Sequence, residues 1–396
     1  MVIAPFSIAR LPRIEFGSER RAWVPALAAG FGSRMLLITG AGSMEAGPYW
    51  VELLQALEDR GLAWERLTIA DEPSPELVDA AVARYRSAGV ELVVGIGGGS
   101  VLDGAKAIAG LLPTGRSVMD HLEGVGPELP YEGPPLPFIA VPTTAGTGSE
   151  ATKNAVLSRR GEGGFKKSFR HASLVPDVAV VDPDLLVTCP KGLIAANGMD
   201  ALTQLIESYV SLRANPLTDA LALSGLEAAR DSLLPWFEAG EDAPAARTGM
   251  AYASLLSGIT LAQTGLGSVH GLASPLGAFF PIPHGAVCGT LAAAATQVNI
   301  QAMIAREPDN PALEKYARLG ELLAGRRLGD RESARRALIQ TLHAWTERMG
   351  LERLSAYGVK EGDLGRIANN SHGSSMKTNP IVLTDGEITQ IVKMRL

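Results

Sequence analysis

Cysteine is scarce: Cys189 and Cys288 are the only two in 396 residues, and they form no CxxC pair. That excludes a disulfide framework and fits a reducing cytoplasm. Excess positive charge is missing too, since the net charge is −6. Neither nucleic acid nor an anionic membrane would attract such a chain, so neither is its expected partner. No tract is of low complexity, and a hydrophobic share of 46% with 20% charged residues is that of an ordinary globular protein. The first residues, MVIAPFSIARLPR, hold a short apolar run with no basic stretch before it and no cleavage pattern, so no signal peptide is expected. The sharpest absence lies between Thr248 and Ala305, where no Asp, Glu, Lys or Arg occurs. Gly, Pro, Gln, Ser and His interrupt that run throughout, which argues against a membrane span and for core helices. A charge-poor centre also suits a site that must exclude water.

What is present falls into two halves. The first alternates short apolar runs with helical patterns. RMLLITG (34–40), LAWERLTI, ELVVGIGGG (91–99), FIAVPTT (138–144) and VAVVDP (178–183) read as strands. VELLQALEDRG, PELVDAAVARYRSAG and VLDGAKAIAGLL read as helices. Such alternation implies a parallel sheet with right-handed crossovers. From about Lys191 only helices are legible, among them GLIAANGMDALTQLIESYVSL and ARTGMAYASLLSGITLAQTG. The expectation is a Rossmann-like α/β domain over 1–187 and an all-α domain over 188–396, with a ligand in the crevice between them.

Glycines mark the ends of two strands. GIGGGSVLDGAK (95–106) joins a strand to a helix, where backbone N–H groups can approach a phosphate at the positive end of the helix dipole. Ser100 with Asp103 reads as a capping pair that starts the helix near Val101. PTTAGTGSEAT (142–152) ends another strand, and its closely spaced threonines suit ribose or nicotinamide. Two such loops on one sheet favour a dinucleotide across its carboxyl edge. A third turn, ITGAGS (38–43), bears on which dinucleotide it is. It has no acid for a free 2′-hydroxyl, whereas Gly40, Gly42 and Ser43 leave room and a donor for a 2′-phosphate, with Arg34 the nearby arginine. NADP(H) is therefore expected over NAD(H).

His270 and His284 lie in GSVHGLASPLGAFFPIPHGAV, separated by Pro275, Pro281 and Pro283, so they sit on different elements joined by a bend. Pro283-His284-Gly285 reads as a helix start, which favours neutral imidazole. Asp200 on a neighbouring helix would complete one carboxylate and two imidazoles, a donor set for Fe2+ or Zn2+. Gln204 stands one turn beyond Asp200, where a histidine would make a ligand pair.

GGGSVLDGAKAIA, PTTAGTGSEAT, NGMDALTQLIESYVS and the HG…PHG segment, in that order, resemble the iron-containing (group III) alcohol dehydrogenase family over essentially the whole chain. The resemblance implies the dehydroquinate synthase-like fold of that family and an NAD(P)-dependent oxidoreductase working as a homodimer. It implies a metal held by Asp200, His270 and His284, with Gln204 at the place of a third histidine and Ser274 at that of a proton-relaying one. It further implies that Gly97, Gly98, Gly99 and Ser100 hold the pyrophosphate, that Thr143, Thr144 and Thr147 form the second loop, and that Asp103 and Lys166 stand near the cofactor. Gly40 replaces the Asp that NAD-preferring members carry. The expected reaction is hydride transfer between nicotinamide C4 and a small alcohol, aldehyde or ketone. An amide oxygen is a weaker ligand than imidazole. A metal-independent carbonyl reductase of the maleylacetate reductase kind is therefore a second expectation, with His270, His284 or Gln204 donating to the carbonyl. A nucleotide-binding homologue with impaired turnover is a third.

Overall fold

A computed structural model describes residues 3–42, 48–161 and 163–396; Ser43, expected to face a 2′-phosphate, lies outside the described residues. The chain divides into two compact units. One comprises Ala9–Thr144 and Gly148–Cys189; the other comprises Pro190–Leu396, a short N-terminal stretch ending at Ile8, and Ala145–Thr147.

In chain order the first unit contains β1 (Arg13–Phe16), α1 (Val24–Ala29), β2 (Arg34–Thr39), α2 (Pro48–Glu58), β3 (Ala63–Thr68), α3 (Pro75–Tyr85), β4 (Leu92–Gly97) and α4 (Gly99–Leu111). It continues with β5 (Phe138–Pro142), β6 (Asn154–Arg159), β7 (Phe165–Arg170) and β8 (Val178–Val181). Six strands form one sheet in the order β1-β8-β5-β4-β2-β3, and every pairing in it is parallel. Side chains alternate across it. Leu36, Ile38 and Val93 enter the core with α3 and α4. Met35, Leu37, Leu92 and Val94 enter the other with α1 and α2. Covered on both faces, β4 is buried at every residue, which is why LVVGIG reads as an unbroken apolar run.

Three features depart from the expectation. β1 pairs with β8 from Arg13 opposite Val178 to Phe16 opposite Val181; it is short and half exposed, so its sequence carries little apolar signal. β6 and β7 form an antiparallel hairpin outside the main sheet. The Ser100–Asp103 capping pair does not form. The N-cap of α4 is Gly98 and uses no side chain. Asp103 instead accepts from Ser149 Oγ and, at 3.1 Å, from Val156 N, tying α4 to the chain beyond β5. Lys106, one turn on, is 1% exposed and donates to Ser149 O (2.8 Å), Thr152 Oγ1 (2.8 Å) and Asn154 O (2.9 Å). Burial pushes its pKa down to about 8 and that of its buried neighbour Glu150 up to about 7.

The second unit is built of α5 (Lys191–Val210), α6 (Pro216–Ala239), α7 (Pro244–Thr264), α8 (Ser268–Phe279) and α9 (His284–Arg306). After these come α10 (Ala312–Ala324), α11 (Arg331–Arg348), α12 (Leu364–Asn369) and α13 (Asp385–Lys393). No strand occurs among its described residues. The charge-free stretch is α7, α8 and α9. By length and composition α9 could cross a membrane, yet 83% of its most apolar window is buried inside the protein. It packs as a core helix against α5, α8, α11 and α13. The bend between His270 and His284 is the short link from α8 to α9, as the prolines require.

Candidate metal centre and dinucleotide loops

The metal-type residues all come from the helical unit. α5 presents Asp200, Gln204 and Glu207 on one face, at the i, i+4, i+7 spacing of successive turns. α8 contributes His270 in its first turn. α9 begins at His284 and brings Cys288 one turn later. What lets α9 come so near is Gly285: a Cβ there would stand 2.5 Å from the Ala196 carbonyl oxygen of α5. A glycine after His284 is thus a condition of close helix approach.

Asp200 Oδ1 lies 3.1 Å from His270 Nε2 and 3.9 Å from His284 Nε2. Cys288 Sγ lies 3.5 Å from His270 Nε2 and 3.8 Å from His284 Nε2. The Asp200 carboxylate is 1% exposed, and its Oδ2 has no hydrogen-bond partner among the described residues. A buried carboxylate oxygen in that state is costly unless a cation completes it, so these residues fit a divalent metal. The other nitrogen of His270, Nδ1, is 2.6 Å from Glu207 Oε2, while Glu207 Oε1 accepts from Val269 N at 2.7 Å. Glu207 therefore fixes both the start of α8 and the orientation of the His270 ring, the carboxylate–histidine arrangement that orients metal-binding imidazoles. Burial works against a charged His270, but Cys288, Glu207 and Asp200 outweigh it and hold the ring well above its ordinary 6.5. For Asp200, burial is outweighed by the two imidazoles and the pKa is lowered; burial pushes the Cys288 thiol up to about 12. Gln204 Oε1 accepts from Ser257 Oγ at 2.7 Å. Ser274 sits one turn beyond His270 on α8 and is half-buried.

In the sheet unit, Gly97 ends β4 because a Cβ there would lie 2.5 Å from Val101 Cγ2. Gly98, Gly99 and Ser100 follow at the start of α4, whose N-terminus no side chain caps, leaving its N–H groups for an anion. Thr143 N donates to Gly97 O (3.0 Å), and Thr144 lies over Gly98, so the two glycine-rich loops meet at these residues. Thr147 belongs to the three-residue stretch that packs with the helical unit. Lys166, on β7, donates to Glu72 Oε1 at 2.5 Å with its side chain 9% exposed, so a carboxylate already holds its charge. Gly40 differs from Gly97. It has no positive φ, and a Cβ there would come no nearer than 3.8 Å to any described atom. Neither backbone nor packing demands glycine at this place. Arg34 opens β2 and Thr39 closes it, so Arg34 is at the far end of the strand, about 16 Å away. There it is bound to Ala88 O (2.9 Å). The arginine near Gly40 is Arg66 of β3. Its Nε and Nη2 donate to Thr39 Oγ1 at 3.0 and 2.9 Å, and its guanidinium lies 4.7 Å above the Trp50 ring.

Residues 12–183 match the family model described as iron-containing alcohol dehydrogenase, and residues 194–396 match that of the Fe-containing alcohol dehydrogenase family, C-terminal. The chain belongs to the iron-containing alcohol dehydrogenase family. Alcohol dehydrogenase 4 of Saccharomyces cerevisiae (strain YJM789) is 36% identical over 343 residues, 85% of this chain and 84% of that one. The NAD-dependent methanol dehydrogenase of Bacillus methanolicus is 34% identical over 329 residues, 82% of each. Among solved structures, a 1,3-propanediol oxidoreductase superposes with a TM-score of 0.87 at 28% identity, covering 99% of this chain and 100% of that one. An archaeal halo-thermophilic alcohol dehydrogenase from a Red Sea brine pool gives 0.90 at 26% identity, covering all of both. This member of the family is accordingly an oxidoreductase with alcohol dehydrogenase activity.

Sequence reasoning missed two members of the centre. Cys288 stands four residues after His284, and Glu207 seven after Asp200. Helical spacing alone would have placed both on the ligand-bearing faces. Arg66 carried no such signal, because it meets Thr39 only through strand pairing, with Leu37 opposite Arg66 and Thr39 opposite Thr68.

Proposed function

We propose that the chain transfers a hydride between C4 of a nicotinamide and the carbonyl carbon of a small aldehyde or ketone, with NADP(H) preferred over NAD(H). Asp200, His270 and His284 would hold a divalent metal, Fe2+ or Zn2+; the observation that carries this is the buried Asp200 carboxylate, whose Oδ1 faces two imidazoles and whose Oδ2 has no hydrogen-bond partner among the described residues. When bound, the metal would act as a Lewis acid on the carbonyl oxygen, and the reduced nicotinamide would supply the hydride. The residues then divide the remaining work. Glu207 keeps the proton of His270 on Nδ1 so that Nε2 faces the ligand cluster. The charge-poor α7, α8 and α9 would keep the surroundings of buried Asp200 and His270 at low dielectric, which strengthens the electrostatic contacts there. Ser274, one turn from His270, would pass a proton to or from the alcohol oxygen through water.

The uncapped N-terminus of α4 and Gly97, Gly98, Gly99 and Ser100 support a pyrophosphate there, with Thr143, Thr144 and Thr147 toward ribose and nicotinamide. Gly40, a glycine that neither φ nor packing requires, supports a 2′-phosphate with Arg66 as its nearest arginine. We place the working enzyme in the cytoplasm as a homodimer; free Cys189 and Cys288 suit that compartment.

The test is loss of reduced-nicotinamide absorbance when purified protein meets NADPH and a panel of small aldehydes, before and after chelation. Turnover that chelation abolishes and Zn2+ or Fe2+ restores supports the metal-assisted reaction. Turnover indifferent to chelation supports the metal-independent reductase, and NADPH binding without turnover supports the impaired homologue.

A further inference from the structure

The ligand set has a gap at Gln204, a weak amide donor whose oxygen already accepts from Ser257 Oγ at 2.7 Å. Cys288 occupies the cluster instead. It is fully buried, one helical turn from His284, with Sγ 3.5 Å from His270 Nε2 and 3.8 Å from His284 Nε2. A buried thiol is usually a small apolar side chain among carbon neighbours. This one faces two ring nitrogens beside a buried carboxylate whose second oxygen has no partner among the described residues.

The distances decide the matter. A tetrahedral ion bonded at about 2.0–2.2 Å to nitrogen and oxygen and at about 2.3 Å to sulfur separates its donor atoms by about 3.3–3.6 Å. Four of the six separations are 3.1, 3.5, 3.8 and 3.9 Å, and all four donor atoms lie within 4.8 Å of one another. We propose that Cys288 is a metal ligand in this chain, so that one carboxylate, two imidazoles and one thiolate hold the ion, with Gln204 outside the shell. On binding, the thiol gives up its proton to water and the sulfur electron pair goes to the metal. The proposal rests on the metal-assisted reading above and deepens it. A thiolate is a soft donor, so the site takes Zn2+ in preference to Fe2+. Zinc also expands to five ligands in catalytic sites, which leaves a position for a substrate oxygen.

The test uses the full chain, stripped of metal and loaded with Co2+. The wild type is expected to show a thiolate-to-cobalt charge-transfer band in the near ultraviolet. Cys288→Ser is expected to lose the band, with at least a tenfold loss of cobalt affinity, whereas Gln204→Ala keeps both. X-ray absorption at the zinc edge of the wild type is expected to find one sulfur at about 2.3 Å, and that reading needs no variant to fold. Zinc should displace Fe2+ when both are offered anaerobically in equal amounts. Cobalt bound without the band, or a sulfur-free zinc shell, overturns the thiolate assignment and leaves the metal-assisted reaction standing. A tenfold loss of affinity in Gln204→Ala returns Gln204 to the shell and overturns it as well. A wild type that binds no cobalt sinks both.

Discussion

Replacing Glu207 with Gln removes one charge and hardly any volume, yet its effect on the metal should be large. Glu207 accepts from Val269 N through Oε1 and faces His270 Nδ1 with Oε2. A glutamine has one oxygen for these two partners. If it keeps Val269, its NH2 group points at His270 Nδ1, which must then accept. The ring proton moves to Nε2, the nitrogen that faces Asp200 and the metal. If it serves His270 instead, the Val269 N–H at the start of α8 is left without its acceptor. Outer partners of metal-binding histidines typically contribute 10- to 100-fold in affinity, about 1.4–2.8 kcal/mol. The same substitution weakens a buried, charge-assisted hydrogen bond, at a cost of about 1.5–3 kcal/mol in stability. Zinc affinity measured by competition with a chromophoric chelator reads the first effect, and denaturant unfolding of the metal-free protein reads the second. A Glu207→Gln protein that folds normally and binds zinc within twofold of the wild type would refute the tautomer argument.

Four further outcomes can be checked. Gly40→Asp sets a carboxylate where a 2′-phosphate would lie, so kcat/KM for NADPH should fall at least tenfold while that for NADH holds or rises. Arg66→Gln should lower the NADPH value alone, and equal loss with both cofactors would remove Arg66 from the site. Gly285→Ala drives a Cβ into the Ala196 carbonyl, so it should cost about 1–3 kcal/mol in unfolding free energy and weaken zinc binding in parallel. Glu150, raised by burial from 4.5 to about 7, binds its proton more tightly folded than unfolded. Its contribution is complete below pH 4.5 and is lost as pH rises through about 7. Between those limits the wild type should lose on the order of 3 kcal/mol relative to Glu150→Gln in unfolding titrations; parallel curves would show that Glu150 does not titrate there.

The strands that the sequence shows clearly are those buried on both faces, such as LVVGIG, because nothing polar is tolerated in them. The β6–β7 hairpin stayed hidden because its second strand, FKKSFR, is mostly half-buried and carries charge at the register positions. Ser100 and Asp103 had the spacing of a cap, but Asp103 is bonded to Ser149 and Val156, partners from beyond β5. No local pattern reports so distant a competitor. Asp200, His270 and His284 were legible because each is a polar residue set in an apolar helix. Cys288 was not, since a buried cysteine in an alanine-rich helix looks like packing until its neighbours are known.

The charge-free stretch from Thr248 to Ala305 has a cost outside the native state. Natural sequences place charges beside apolar segments to keep newly made or unfolded chains from adhering to one another. Here such charges stand at the two ends, Arg247 and Arg306, and none lies between them across three consecutive helices. Solubility during synthesis therefore depends on how quickly α7, α8 and α9 are covered by their neighbours, and a denatured sample should be lost to aggregation more readily than its acidic net charge would suggest.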